Sequence, residues 1–326
     1  LNIKYGVNAD ANGYMFVGDC NHSQFEDAEN IIFRSQAGKY SIFDWSKDYL
    51  QMNFKPVAMK GFLGKLYVWG TDKMAIVNPQ TLVIEDEING IGCSNKKSVK
   101  VTPTGLYWCD LSNIYNSTPN ISKIGTTIQK QETYGWTVLE DSVKQKAVLG
   151  YDTIRQCLLV FFTKGTEHRC WAYSAGTKRW DLWDTSHQVY DAIESKSGHA
   201  ILLLANGRIC KYSSGSNNKS WEWQSKKIGF GEDTIVKKVR LAKLDATARN
   251  HTAIQYKSNL EDDEWHAGTN ISDNYGSTWQ GNAIKVDSSY SKLRWFKVKA
   301  TGTNNGTGSN HKGNAIGIIY KRKKPK

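Results

Sequence analysis

The sequence contains little proline and methionine, 5 and 4 residues among 326, and it has no long apolar run. Its longest apolar stretches, such as Cys157–Phe162 and Ala200–Ala205, are far shorter than the roughly 20 residues of a membrane-spanning helix. The sequence therefore predicts no transmembrane helix. It begins at Leu1 without a basic segment followed by an apolar one, which predicts no signal peptide and indicates a trimmed or truncated N-terminus.

Motifs that carry catalytic or cofactor chemistry are also missing. The seven His are isolated, and the sequence has no Gly-rich phosphate loop and no G-x-S-x-G nucleophile turn. The six Cys stand singly with no C-x-x-C pair, mostly in apolar or aromatic runs. This spacing favours buried, reduced thiols over disulfides and gives no zinc site. We therefore expect no catalytic residues, no metal and no cofactor.

The chain is instead rich in aromatic residues, with 12 Trp and 16 Tyr, and in short runs of β-branched and aromatic residues. These runs recur between clusters of Gly, Asn, Asp and Ser, whereas helical periodicity is nearly absent. Only the stretch from residue 27 to residue 35 is ambiguous between strand and helix. The pattern predicts an all-β protein.

The predicted strands fall into five units between about residues 5 and 225, at the spacing of roughly 40 to 50 residues that is typical of propeller blades. Each unit has the same order: an entering segment, an apolar strand after a tight turn, a further strand and a polar outer strand. The fifth unit illustrates it with Val189–Ser195, Ala200–Leu204, Arg208–Tyr212 and Trp221–Trp223. Residues 1–225 are therefore predicted to form a β-propeller of about five blades.

Residues 226–326 differ from the rest in charge and in strand spacing. They contain 19 Lys and Arg against 9 Asp and Glu, a net charge of +10 out of +12 for the whole chain. Cations alternate with apolar residues in segments such as 236–244 and 293–300, which predicts a basic β-sandwich with one solvent-facing side. A Gly- and Asn-rich loop at 304–313 precedes the last strand, and the chain ends in a basic tail.

Two groups of residues are candidate binding sites. The first is the terminal basic run with Arg322, Lys323, Lys324 and Lys326, which would contact a polyanion or an acidic protein surface, or else remain a solvated tail. The second is an aromatic platform for sugar rings or bases, formed by Trp180, Trp183, Trp221 and Trp223. In strand alternation each Trp pair is expected on one side of its strand, which favours packing between blades over a platform.

The segment from Ser272 to Trp279 resembles the Asp-box turn of sialidases and other propellers, with Asn274 in place of the usual Asp. The turn is structural in those proteins too, since its polar side chain stabilises a hairpin under which the Trp packs. No spacing of Arg, Tyr and acidic residues selects a sialidase-like set, although two carboxylates could come from different blades.

Several segments resemble the tail hub or nozzle proteins, also called stabilisation proteins, of short-tailed bacteriophages, especially those of marine phages. The resemblance covers most of the chain. The segments that carry it are Tyr14–Asp19, Ile31–Gln36, Tyr40–Phe43, Gly61–Trp69, Gly92–Cys93, Val101–Trp108 and Ala315–Lys326. The chain departs from the family pattern at Gly18-Asp19, where Gly-Asn is usual, at Gln36, where a Pro context is usual, and at Ile42–Trp45.

This resemblance implies a virion structural protein of the tail, assembled in the host bacterial cytoplasm. Several copies, expected to be six, would form a ring below the portal and its adaptor. The ring would continue the conduit for DNA, with transient DNA contact. It would also anchor tail fibres or a needle. The alternative is a glycan-binding or glycan-cleaving, sialidase-like propeller, which the Trp content and the Asp-box-like turn favour. None of the shared motifs is a catalytic signature.

Overall fold

A computed structural model of the chain describes residues 4–21, 25, 28–212, 219–225, 228–229, 237–246, 252–258, 265–267, 269–272, 281–285, 292–293, 295–304 and 313–322. The chain divides into two compact units, Leu1–Ser214 and Gly215–Lys326. Both are built from antiparallel sheets, as the sequence predicts. Among the described residues, no helix is long and apolar enough to cross a membrane.

The first unit contains five antiparallel sheets that follow one another along the chain, the blades of a β-propeller. Sheet 1 consists of β1 Lys4–Ala11, β2 Tyr14–Asn21, β3 Ile31–Gln36, β4 Lys39–Phe43 and β5 Tyr49–Gln51. Sheet 2 consists of β6 Ala58–Phe62, β7 Lys65–Trp69, β8 Lys73–Asn78 and β9 Val83–Asn89. Sheet 3 consists of β10 Val99–Thr102, β11 Gly105–Cys109, β12 Ile114–Ser117 and β13 Ile121–Lys123.

The next two sheets complete the propeller. Sheet 4 consists of β14 Val148–Asp152, β15 Cys157–Lys164, β16 Glu167–Ser174 and β17 Arg179–Asp184. Sheet 5 consists of β18 Val189–Glu194, β19 Ala200–Leu204 and β20 Ile209–Lys211. The helical elements are short: two 3-10 turns, Ala28–Asn30 and Gly125–Thr127, and α1 Asp141–Lys144. The ambiguous stretch at 27–35 thus contains a 3-10 turn followed by most of β3.

The first strands of consecutive sheets contact one another: β1 with β6, β6 with β10, β10 with β14, and β14 with β18. Apolar side chains fill the space between neighbouring sheets. Sheets 2 and 3 bury Trp69 and Trp108, whose ring centroids lie 5.5 Å apart. Sheets 4 and 5 approach closely at Gly150, where a Cβ atom would lie 3.0 Å from the Cβ of Ala192. Each sheet is therefore stabilised mainly by burial against its neighbours.

The second unit contains two five-stranded sheets. The first is built from β21 Lys219–Gln224, β22 Ile228–Gly229, β24 Thr252–Ser258, β25 His266–Ala267 and β29 Trp295–Asn304. The second is built from β23 Lys237–Ala246, β26 Thr269–Ser272, β27 Gly281–Lys285, β28 Lys292–Leu293 and β30 Gly313–Arg322. Strands β24 and β27, one from each sheet, contact each other. This is the β-sandwich that the sequence predicts.

One predicted strand belongs to a different sheet from the one expected. The segment Trp221–Trp223 was expected to be the outer strand of the fifth propeller unit, but it lies in β21 and pairs with β29 of the second unit. Sheet 5 has three strands among the described residues. The division between the units accordingly falls after Ser214, earlier than the predicted boundary after residue 225. The predicted loop at 304–313 lies mostly outside the described residues.

Candidate functional site

The predicted basic site lies at the end of β30. Its first member, Arg322, is the last residue of that strand, and Lys323, Lys324 and Lys326 lie outside the described residues. Arg322 pairs in register with Lys237 of β23. The basic tail therefore leaves the second sheet of the second unit beside another cation.

More cations occupy the neighbouring register positions. Lys238 is paired with Lys321 on β30 and with Lys292 on β28, so three lysines stand in one row across the sheet. Like charges at directly opposite positions destabilise a sheet. Together with Lys237 and Arg322 they form a group that we call the basic row. Lys237 and Arg322 are one position along their strands from Lys238 and Lys321 and so lie on the other face of the sheet, and both faces carry cations suited to an acidic or polyanionic partner.

A second candidate surface is the outer face of sheet 5. In the register of this sheet, Leu203 is paired with Asp191 on one side and with Ile209 on the other, and Ile193 is paired with Ile201. Paired residues and residues two apart along a strand share one face. Ile193, Leu203 and Ile209 are 62%, 40% and 73% exposed. We call these three residues and Ile201 the apolar face.

The opposite side of the same sheet is buried. Ala192, Ala200 and Leu202 pack there with Val148 and Leu159 of sheet 4. Sheet 5 is thus packed on one side and carries exposed aliphatic side chains on the other. Contiguous exposed apolar residues of this kind mark surfaces that bind other proteins.

The first sheet, at the other end of the series, covers part of its own end face. On its side away from sheet 2, Phe33 is fully buried under the chain's own aromatic residues. The ring of Trp45 meets Phe33 edge-on at 4.6 Å and stacks on Phe43 at 5.2 Å between centroids. The chain therefore covers part of the end face of sheet 1, where Tyr49 remains 39% exposed, and among the described residues it leaves Ile193, Leu203 and Ile209 of sheet 5 exposed.

The four tryptophans of the predicted platform are not brought together as one surface within either unit. Trp180 and Trp183 lie three residues apart on β17, so they project from opposite sides of the strand, and the prediction that they share one side is wrong. Trp180 packs into the core between sheets 3 and 4, and its indole Nε1 donates a hydrogen bond to the Ile124 carbonyl at 3.0 Å.

Trp183 is 43% exposed and its ring lies 6.2 Å from that of Tyr212. Trp221 and Trp223 occupy β21 in the second unit, paired with Gly302 and Ala300. The structure thus packs Trp180 within the propeller, the arrangement that the sequence favours over a platform.

A polar cluster that the sequence does not single out lies on sheet 4. The hydroxyl of Tyr134 donates a hydrogen bond to the Glu167 carboxylate at 2.8 Å and accepts one from Arg169 at 3.1 Å. The Arg169 guanidinium also pairs with Asp184 and lies 5.0 Å from the centre of the Tyr134 ring. No motif in the sequence links residues 134 and 169. The cluster exists only because the fold brings them into contact.

The six cysteines are free thiols, as the sequence favours, and five of them are buried. Burial raises the pKa of the Cys20 and Cys157 thiols to about 11 and that of Cys93 to about 12. These thiols are therefore protonated and unreactive at neutral pH.

Among the residues that the structure describes, no group of three or more His, Cys, Asp or Glu side chains is placed to hold a metal ion. The Asp-box-like turn lies almost wholly outside the described residues, which include only its first residue, Ser272.

No protein-family model and no curated protein matches the chain. Solved structures match it with low similarity. One is described as the extracellular domain of a hybrid two component system from B. thetaiotaomicron, with 14% identity over 66% of this chain and a TM-score of 0.44. Another is a protein from Lactobacillus plantarum, with 12% identity over 64% of this chain and a TM-score of 0.41. A third is the Neurospora crassa Pan2 WD40 domain, with 10% identity over 60% of this chain and a TM-score of 0.35.

This chain covers 26%, 70% and 58% of those three structures, respectively. Similarity at this level carries no functional argument. The assignment of a propeller followed by a sandwich therefore rests on the chain's own sheets and registers.

Proposed function

We propose that this chain is a non-enzymatic subunit of a phage tail hub or nozzle, a virion protein that assembles into a ring of about six copies below the portal and its adaptor. The observation that carries the proposal is the apolar face of sheet 5. An end sheet with exposed Ile193 and Ile209 is suited to contact another protein surface. In a ring, that surface belongs to the next copy, in a heterologous contact repeated around the axis.

The basic row supports the second part of the proposal, attachment to other virion components. Lys238 stands between Lys292 and Lys321, and Arg322 leads into the basic tail. An acidic surface on the adaptor, or on a fibre or needle protein, would neutralise this row, and so would the phosphates of DNA in transient contact. Such contacts weaken as salt is added.

The test is the absolute mass of the protein in solution by size exclusion with light scattering, across protein concentration and salt. We expect the unmodified chain to form a closed ring and the double variant Ile193→Lys, Ile209→Lys to lose it. The matched control is Val83→Lys on β9, which is 55% exposed on a different sheet. A chain that stays monomeric alone and with candidate portal and adaptor proteins contradicts the proposal, as does a double variant that assembles normally.

A second candidate function, glycan cleavage, is favoured by one observation. The Tyr134 hydroxyl donates a hydrogen bond to the Glu167 carboxylate, beside Arg169. A base bonded to a hydroxyl is the arrangement that activates a nucleophile. A hydrolysis screen on a panel of aryl glycosides, including sialosides, tests this candidate. Turnover that Tyr134→Phe abolishes would establish it, and no turnover on any substrate would remove it.

A further inference from the structure

Three lysines from one short segment reach across the opening enclosed by the first strands of the propeller. Lys96 and Lys97 immediately precede β10, and Lys100 lies within it. Besides its sheet partner β11, β10 contacts the first strands β6 and β14 of the neighbouring sheets. The ammonium groups of these lysines, however, bind the strands beyond those two neighbours.

The contacts are direct hydrogen bonds to backbone carbonyls. Lys96 Nζ donates to the Gly6 carbonyl of β1 at 3.3 Å. Lys97 Nζ donates to the Tyr190 carbonyl of β18 at 2.7 Å, and Lys100 Nζ donates to the Ala192 carbonyl of the same strand at 3.2 Å. Since an ammonium group has three donors, each lysine can donate to a ligand while it keeps its carbonyl.

Nearby carboxylates balance only part of the positive charge of these lysines and of Lys60 on β6. None of Lys60, Lys96, Lys97 and Lys100 forms an ion pair with another described residue. Desolvation, followed by the nearby charge of Lys60, lowers the pKa of Lys100, while Glu194 and Asp191 oppose that shift. Those two carboxylates are engaged elsewhere: Asp191 accepts from the Ala192 N–H, and Glu194 accepts from the Thr153 hydroxyl.

We propose that Lys96, Lys97 and Lys100, with Lys60 beside them, form a binding site for a small phosphate-type oxyanion at the centre of the propeller. A multiply charged oxyanion offers several acceptor oxygens to ammonium groups that arrive from different directions, and charge-assisted bonds of this kind are strong. The lysine side chains span from β10 to β1 and β18. This site is independent of the proposed tail function.

The first experiment is isothermal titration of inorganic phosphate into the full chain at constant ionic strength, with sodium chloride as the screening control. We expect saturable binding that weakens by about tenfold or more in the double variant Lys97→Met, Lys100→Met, because each lost ammonium removes a charge-assisted hydrogen bond. The matched control is Lys123→Met, Lys146→Met. Those two lysines are exposed, and their loss changes the net charge equally.

A second experiment uses the unmodified chain, so it does not depend on the variant's folding. Lysines are labelled by reductive methylation and read by mass spectrometry, with and without phosphate and with a short single-stranded DNA. We expect phosphate to protect Lys97 and Lys100 but not Lys123 or Lys146. If the oligonucleotide protects these lysines and inorganic phosphate does not, the ligand of the site is a phosphate group of a nucleic acid. Absence of protection by both, or equal affinity in the double variant and its control, would overturn the site.

Discussion

The carboxylate of Asp152, at the end of β14, accepts a hydrogen bond from the backbone N–H of Ala200 at the start of β19, at 3.2 Å. The same side chain accepts from the Arg155 N–H at 2.9 Å and is fully buried. Asp152 therefore fixes a turn in sheet 4 and attaches sheet 5 to it through the backbone.

Replacing Asp152 by Ala should destabilise the propeller by about 2 kcal/mol, because the buried N–H of Ala200 and the partly buried N–H of Arg155 lose their acceptor. Asp152→Asn should cost less, since one side-chain oxygen remains. The midpoint of urea unfolding, followed by circular dichroism, measures both. Asp86→Ala, at an exposed position of β9, is the control and should change the midpoint little. If Asp152→Ala and the control change the unfolding midpoint equally, the contact between the two sheets contributes nothing to stability.

The two tryptophans of β17 should differ in their contribution to stability. Trp180→Phe removes the hydrogen bond to the Ile124 carbonyl and part of a buried ring, and we expect a loss of roughly 1 to 3 kcal/mol. Trp183→Phe changes a side chain that is 43% exposed and should cost under about 0.5 kcal/mol. The same urea experiment compares them. A larger loss for Trp183→Phe would contradict the opposite placement of the two rings.

Stability should decrease in alkaline solution partly through Cys93. Burial raises the pKa of its thiol from the ordinary value of 9.0 to about 12. Above pH 9 the unfolded chain releases this proton while the folded chain keeps it, so the free energy of unfolding falls with rising pH until about pH 12.

The size of this effect is bounded by about 1.4 kcal/mol per pH unit for one proton. Other groups titrate in the same range, so the measurement is the difference in pH dependence between the unmodified chain and Cys93→Ala from pH 8 to 11. We expect a shallower decline in the variant. Parallel curves would exclude a contribution from this thiol.

Reversing the charge of the basic tail should weaken docking. The variant carries Glu in place of Arg322, Lys323, Lys324 and Lys326, and it should bind an adaptor or a neighbouring subunit less tightly, most visibly at low salt. A pull-down at low and moderate salt measures this. The control replaces Lys123 and Lys146 by Glu, at exposed positions of the propeller. Unchanged recovery of the tail variant would remove the tail from the interface.

Many strand positions could be predicted from the sequence because propeller strands such as β7, β11 and β15 are short apolar runs bounded by turn residues. Two predicted segments, Lys65–Trp69 and Gly105–Cys109, coincide with β7 and β11. Pairing between strands that lie far apart in the sequence could not be predicted in the same way. The alternating pattern of Trp221–Trp223 fits any half-buried strand, and its partner β29 lies far along the chain.

The candidate surfaces depend even more on pairing. Nothing in the sequence links Ile193, Leu203 and Ile209, and they form one face only once the register of β18, β19 and β20 is known. The same holds for Lys238, whose neighbours Lys292 and Lys321 come from distant strands. The sequence identified an excess of positive charge in residues 226–326, and the register shows where part of it is concentrated.

Packing on a single side also sets how sheet 5 moves. Among the described residues, sheet 5 packs its apolar side chains on sheet 4 alone, and the hydrogen bonds from Lys97 and Lys100 reach only its first strand, β18. Amide hydrogens of β19 and β20 are therefore expected to exchange earlier than those of β11 or β15, as in other segments of low local stability. A protein that covers Ile193 and Ile209 would slow this exchange, because binding to the closed form alone shifts the opening equilibrium by mass action. Assembly through the apolar face, as proposed, would therefore be coupled to the local folding of the last blade.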